Sequence, residues 1–166
     1  MTVFLCVRCL PAQQDERAVR AAFVFNLTKY VSWPARRDRL VIGVIGSTNI
    51  AQVLQQILDG KVSDGRRITV IVHSPDAELN ECDVLYVAGV PLSAVKSILN
   101  RSANRPVLTV GDSEQFVRSG GMVGLVRSGD QIEIEVNLPA LRSRQLDMSS
   151  RLLKMAVLIP TGGGPQ

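Results

Sequence analysis

Apolar residues recur along this chain at two alternating periods, and the alternation outlines a fold. Over residues 15–30, Val19, Ala22, Phe23, Leu27 and Tyr30 follow at three- and four-residue steps, which predicts a helix with one apolar face. Asp15 and Glu16 fall in its first turn, where negative charge is favoured. Trp33-Pro34 closes it, because proline biases the residue before it away from helical geometry. Leu40 to Ile45 is then continuously apolar, as suits a strand buried on both faces. Ile50, Val53, Leu54, Ile57 and Leu58 return to helical spacing, and Asp59-Gly60 ends that helix. Apolar runs at 67–73, 82–87 and 106–110 predict further strands. Between them lie a polar loop over 74–81 and a helix over 91–99 with Val95, Ile98 and Leu99 on one side.

The stretch 105–125 condenses this pattern. An apolar strand runs into Gly111-Asp112-Ser113, a short helix follows, and Gly120-Gly121 breaks it before the next strand at 122–127. Asp112 or Ser113 supplies the cap at the helix start, and Gly120 or Gly121 suits the left-handed position that ends it. In 131–136, Ile132, Ile134 and Val136 alternate with Gln131, Glu133 and Glu135. That is a half-exposed strand, paired as an antiparallel hairpin with 122–127 through Ser128-Gly129-Asp130. Asn137 caps a last helical region over about 138–158, bent near Asp147. Helices alternating with buried strands predict an α/β fold. It is a three-layer Rossmann-like sandwich, a mostly parallel sheet of about four strands with a C-terminal antiparallel hairpin, flanked by helices. The predicted boundaries are an N-terminal segment over 1–14, a single α/β domain over 15–159 and a disordered glycine-rich tail over 160–166.

Composition narrows the function classes. The 166 residues are 46% hydrophobic, enough for one substantial core, and the 20% charged residues do not suggest disorder. The net charge of +4 comes from scattered arginines, and aromatics are only 4%, so no basic and aromatic surface for stacking bases is written here. Nucleic acid is therefore not an expected partner. Cys6 and Cys9 form C-x-x-C without a second half, and Cys82 stands alone, so neither metal nor cofactor is expected. The apolar Val3 to Val7 and the small Ala12 before Gln13-Gln14 resemble the end of a signal peptide. The basic region is missing and Arg8 interrupts the run, so the simplest account is a remnant with its start placed too far downstream. The alternative is an ordinary frayed N-terminus. No later segment reaches the roughly 18 apolar residues of a membrane span.

Candidate chemistry is sparse. His73, the only histidine, falls at a strand end beside Ser74 and Asp76, where a general base or an ordinary polar residue both fit. Cys82 lacks an evident base partner and is flanked by Glu81 and Asp83, which favours a structural thiol. Glu133 and Glu135 share a strand face, and alternating charge there also protects an edge strand from pairing. Two turns sit where an open α/β sheet binds ligands, between a strand end and a helix N-terminus: Gly46-Ser47-Thr48 and Gly111-Asp112-Ser113. Neither is a dinucleotide fingerprint nor a P-loop, and both also serve as capping turns. Ser149-Ser150-Arg151 fits either an exposed helix face or a hydroxyl anchor for a helix.

Taken in order, several marks resemble the YfiR family of bacterial periplasmic proteins. They are Ala21-Ala22-Phe23-Val24-Phe25-Asn26-Leu27-Thr28-Lys29-Tyr30-Val31-Ser32-Trp33-Pro34, Leu40 to Gly46, Gly65 to Val70, Cys82 to Val87, Pro106 to Asp112 with Gly120-Gly121-Met122, and Ile134-Glu135-Val136-Asn137 leading into Leu146 to Leu153. They span about residues 18–158. The resemblance implies a non-enzymatic periplasmic regulator that represses a membrane diguanylate cyclase through the cyclase's periplasmic portion. It also implies sequestration by an outer-membrane lipoprotein, a homodimer, and an output in cyclic-di-GMP level and biofilm behaviour. A small-ligand or nucleotide-binding module feeding a sensor kinase is the alternative. Disulfides belong to the well-known member, whereas the body of this chain holds only Cys82, so an intramolecular bridge is not expected and an intermolecular one requires Cys82 to be exposed.

Overall fold

The computed structural model describes residues 12–160. The signal-like segment up to Pro11, with Cys6 and Cys9, and the tail from Thr161 lie outside the described residues. Helix α1 (Ala12–Tyr30) leads into a two-residue strand β1 (Val31–Ser32). Strand β2 (Arg39–Gly46) and helix α2 (Thr48–Leu58) follow, then the hairpin of β3 (Val62–Ser63) and β4 (Arg66–His73). The middle of the chain is β5 (Val84–Ala88), α3 (Leu92–Arg101), β6 (Leu108–Gly111), α4 (Glu114–Arg118), β7 (Val123–Ser128) and β8 (Gln131–Val136). It ends with α5 (Leu138–Ser143), β9 (Asp147–Met148), α6 (Ser150–Leu153) and β10 (Val157–Leu158).

The main sheet has eight strands in the order β10-β8-β7-β6-β5-β2-β4-β3, and β1 pairs with β9 in a separate antiparallel ribbon. Strands β4, β2, β5, β6 and β7 are mutually parallel. That is one more parallel strand than the sequence predicts, because β7 serves both the parallel set and the antiparallel hairpin with β8. Continuous apolar runs make sense of the arrangement: β2 and β5 are buried on both faces. Leu40, Ile42 and Val44 point to a core shared with α1, α2, α5 and α6, and Val41 and Ile45 point to a second core under α3 and α4. The result is the α/β sandwich that the alternating periods imply.

Four features depart from expectation. Helix α1 buries Arg20, Ala21, Val24, Leu27 and Thr28, while Val19 and Ala22 face solvent. Its buried stripe is therefore rotated from the one that apolar spacing alone suggests, because Arg20 and Thr28 find partners inside. Thr28 Oγ1 lies 2.7 Å from Ser63 Oγ, and Arg20 donates to the Leu125 carbonyl and pairs with Glu16 at 2.7 Å.

The predicted helical region at 138–158 is instead broken. Gln145 takes φ 59, Leu146 N–H reaches back to the Leu141 carbonyl and Gln145 N–H to that of Arg142. This double reverse bond is a helix-ending motif that usually uses glycine, so a glutamine there hides it. Its glycine counterpart ends α4, where Gly120 takes φ 104 and Gly121 N–H reaches the Phe116 carbonyl at 3.0 Å.

Strand β8 is not an edge over Glu135 and Val136, because β10 pairs with it there in parallel. Finally, the 62–67 stretch is a tight hairpin. Asp64 (φ 49) and Gly65 (φ 74) form its two-residue turn, and Ser63 opposes Arg66. Both central residues are at positive φ, as the primed turn favoured by Asp-Gly demands.

Candidate functional site

The parallel strands run in the order second, first, third, fourth, fifth when numbered along the chain, so the direction of winding reverses between β2 and β5. Ligands of open α/β sheets bind at such a reversal, beyond the carboxyl ends of the strands. Here Gly46 ends β2 and Ser47 N–H donates to the Ala88 carbonyl at the end of β5, 2.9 Å away. Ser47 occupies the N-cap of α2, yet its side chain makes no capping bond. Beside it lies a crevice of about 180 Å³ lined by Ser47, Tyr86, Ala88, Asp112, Ile50 and the α1 residues Glu16, Arg17 and Arg20.

The structure brings together only part of the set named from sequence. Ser47 and Asp112 line the crevice; Gly46 and Gly111 do not, and Thr48 is exposed as the first residue of α2. Gly111 packs against the ring of Phe116, which leaves no room for a side chain. Ser113 is committed to the N-cap of α4, accepting from Phe116 N–H at 3.2 Å. Asp112 is half-buried, and burial raises its carboxyl above the usual range while Arg20 opposes the shift.

The crevice owes its character to residues that turn motifs do not mark. Tyr86 is fully buried, its phenol is pushed up to about 12 by burial, and its oxygen has no hydrogen-bond partner among the described residues. The Arg20 guanidinium acts on that phenol as a neighbouring charge. A charged residue in the buried phase of α1 is the sequence signal that points here, once the true phase of the helix is known.

The remaining candidates resolve differently. His73 sits beside Cys82, with Nε2 3.6 Å from Sγ, and Gly43 between them leaves the space: a Cβ there would meet Sγ at 2.6 Å. Cys82 thus has the base partner that its flanking sequence does not announce. Burial nevertheless pushes its thiol up to about 11 and lowers the pKa of His73, so both groups are held neutral. Cys82 is only 2% exposed, which removes the condition for an intermolecular bridge. A shift from 9.0 to about 11 leaves about a hundredth of the ordinary thiolate, so native Cys82 should react with a thiol reagent at pH 8 at least about 100-fold more slowly than in urea. Equal rates would show an open thiol. The native state holds this proton where the unfolded thiol has lost it. Stability should therefore be intact below about pH 9 and fall as pH rises towards 11.

Glu135 is half-buried with Oε2 unpartnered, and burial, then Glu114, raises its pKa, whereas Glu133 faces solvent. Ser149 anchors a helix: it caps α6, with Leu152 N–H donating to its hydroxyl at 3.4 Å. Among the described residues no group of three or more His, Cys, Asp or Glu is placed to hold a metal ion, and no helix is long and apolar enough to cross a membrane.

A concavity of about 540 Å³ lies between α1 and the tip of the β7–β8 hairpin. Val19 (42% exposed), Phe23 and Ile132 form an apolar floor, and Glu16, Arg127 and Asp130 form a charged rim. Arg127 spans the groove to Glu16 at 3.2 Å.

Comparison with known proteins places this architecture. A conserved domain protein from Vibrio cholerae O1 biovar El Tor strain N16961 shares the fold, with a TM-score of 0.64 over 86% of this chain at 11% identity. This chain spans 59% of that protein's chain. No curated protein matches the sequence. The family described as YfiR/HmsC-like matches residues 17–157, from the first turns of α1 to β10. The chain belongs to the YfiR/HmsC-like family.

Proposed function

We propose that this protein is a periplasmic regulator that binds the periplasmic portion of an inner-membrane diguanylate cyclase and sets its output by contact rather than by catalysis. The observation that carries the reading is the family match over residues 17–157. In this reading the protein is exported, acts as a homodimer, is sequestered by an outer-membrane lipoprotein, and shifts cyclic-di-GMP level and hence biofilm formation.

The α1–hairpin groove is the surface best suited to the cyclase contact. A small apolar floor inside a charged rim is the usual anatomy of a reversible protein interface. Side chains at the centre of such a patch dominate affinity. Val19→Glu, at the exposed apolar residue of this floor, should therefore weaken capture of the cyclase's periplasmic segment at least about tenfold, by about 1.4 kcal/mol or more, with little change in melting temperature. In cells, loss of that capture should raise cyclic-di-GMP. Undiminished capture by the folded variant would move the interface elsewhere, and failure of the wild type to bind any cyclase segment would remove the reading.

A second reading, a small-ligand module feeding a sensor kinase, draws on the rim crevice, where Ser47, Asp112 and the unpartnered Tyr86 oxygen converge. At about 180 Å³ the crevice suits a compact polar group, since drug-sized ligands occupy roughly 300–1,000 Å³.

A further inference from the structure

A third cavity, of about 310 Å³, lies at the opposite end of the sheet from the rim crevice, where β4 begins and α1 ends. Three cations line it, Lys29, Arg36 and Arg66, against one carboxylate, Asp64, and Trp33 forms a wall. Asp64 is already engaged, because Arg36 pairs with it at 3.0 Å and also donates to its carbonyl. Arg66 is different. It is only 5% exposed, its Nε is buried with no acceptor among the described residues, and it takes no part in the ion pairs found among them. Its guanidinium lies 5.1 Å from the centre of the Trp33 ring. The nearby Asp83 attracts it, but one oxygen of that carboxylate accepts the Val41 N–H at 2.8 Å. A buried guanidinium N–H without an acceptor is costly unless something supplies one.

The Asp-Gly hairpin explains how the cation comes to be there. The turn at Asp64-Gly65 sets Arg66 opposite Ser63, which is tied to α1 through Thr28. The hairpin is thus clamped beside the end of α1, where Lys29 and Ser32 complete the wall.

We infer that this cavity is a binding site for a small oxyanion, with Arg66 at its floor and Lys29 at its mouth. Guanidinium pairs with carboxylate or phosphate oxygens through parallel N–H donors, and lysine adds a mobile point charge. The volume leaves room for an oxyanion borne on a small organic body. The site is independent of the cyclase contact and of the rim crevice.

Trp33 is the only tryptophan in the chain, so intrinsic fluorescence reports on this cavity. The test titrates the folded full chain with inorganic phosphate and, separately, with benzoate, each against sodium chloride at equal ionic strength. Fluorescence and melting temperature are both followed. At least one oxyanion should shift both signals saturably, since a ligand that binds only the native state raises its melting temperature. Lys29→Gln should weaken that binding about three- to tenfold without altering the fold, and Arg66→Met should abolish it. Lys29 is exposed, so its variant keeps the test decisive even if Arg66→Met fails to fold. A response to phosphate alone identifies a phosphate-type ligand and a response to benzoate alone a carboxylate. No response beyond that of chloride, or binding that survives undiminished in either variant, overturns the assignment.

Discussion

Gly46→Ala should be the most damaging single-methyl change in the protein, costing about 4 kcal/mol, from backbone strain of roughly 1–3 and overpacking of roughly 1–3. Gly46 takes φ 104, a conformation that side-chain-bearing residues rarely adopt. A Cβ there would also run into the Ala88 carbonyl oxygen, with Val90 Cγ1 2.9 Å away. That oxygen cannot simply retreat, because it accepts the Ser47 N–H that pins the start of α2 to the end of β5. Gly120 provides the control: it has the same φ of 104 but nothing within 4 Å of its would-be Cβ. Gly120→Ala should therefore show strain alone, about 1–2 kcal/mol. Urea unfolding of the two variants separates the contributions. Equal losses would mean that the Ala88 turn yields freely, and that β2 and β5 are less tightly joined at the reversal than their hydrogen bond indicates.

The same positions show what a sequence discloses and what it hides. Buried parallel strands announce themselves, because a strand covered on both faces has no polar phase: Leu40 to Ile45 and Val84 to Val87 are examples. The end of α4 is legible because Gly120 is a glycine. The end of α5 is not, because exposed Gln145 adopts the same left-handed geometry, at a cost for a side-chain-bearing residue, while the buried Leu146 after it anchors the turn. Apolar spacing also misplaces the buried face of α1. It assumes that charge faces water, whereas Arg20 is buried against Leu125 and Glu16. The hairpin at 62–67 carries a visible signal, Asp64-Gly65, but its first strand has only two residues, too few to show alternation.

Site residues follow the same rule. Ser47 and Asp112 are found from turn chemistry, since caps and rim turns are local. Tyr86 and Arg66 are found only in three dimensions. What marks each is a polar atom left without a partner, a property of packing that neighbours in sequence do not reveal. A third such atom, Glu135 Oε2, lies on β8, while those of Tyr86 and Arg66 lie at opposite ends of the sheet. Tyr86 is at the carboxyl rim, where strand order points, and Arg66 is at the amino rim, where it does not.

Asp83→Ala should rank with Gly46→Ala, at about 4 kcal/mol, and for an electrostatic reason. Asp83 is 5% exposed and stands at the entry to β5. Its Oδ2 accepts the Val41 N–H at 2.8 Å while its own N–H donates to the Val41 carbonyl at 2.9 Å, so it joins β2 and β5 before their ladder begins. Its carbonyl also accepts the Trp33 indole N–H at 3.1 Å. Removing the carboxylate leaves the buried Val41 N–H without an acceptor, worth about 1–3 kcal/mol. It also removes the charge that most favours the buried Arg66 cation, and breaking a buried charge relationship costs about 3–5 kcal/mol at contact, less at the longer separation here. Asp83→Asn separates the two, because its amide oxygen restores the acceptor but not the charge; about 2 kcal/mol should be lost. In an Arg66→Met background the charge component has nothing to act on, so Asp83→Asn should become nearly neutral, a coupling readable in a double-mutant cycle. If Asp83→Asn costs the same in both backgrounds, Asp83 works only as a backbone clamp. If the coupling is present, Asp83 competes with the oxyanion for the same guanidinium. Asp83→Asn should then bind phosphate or benzoate more tightly than the wild type even as it unfolds more easily.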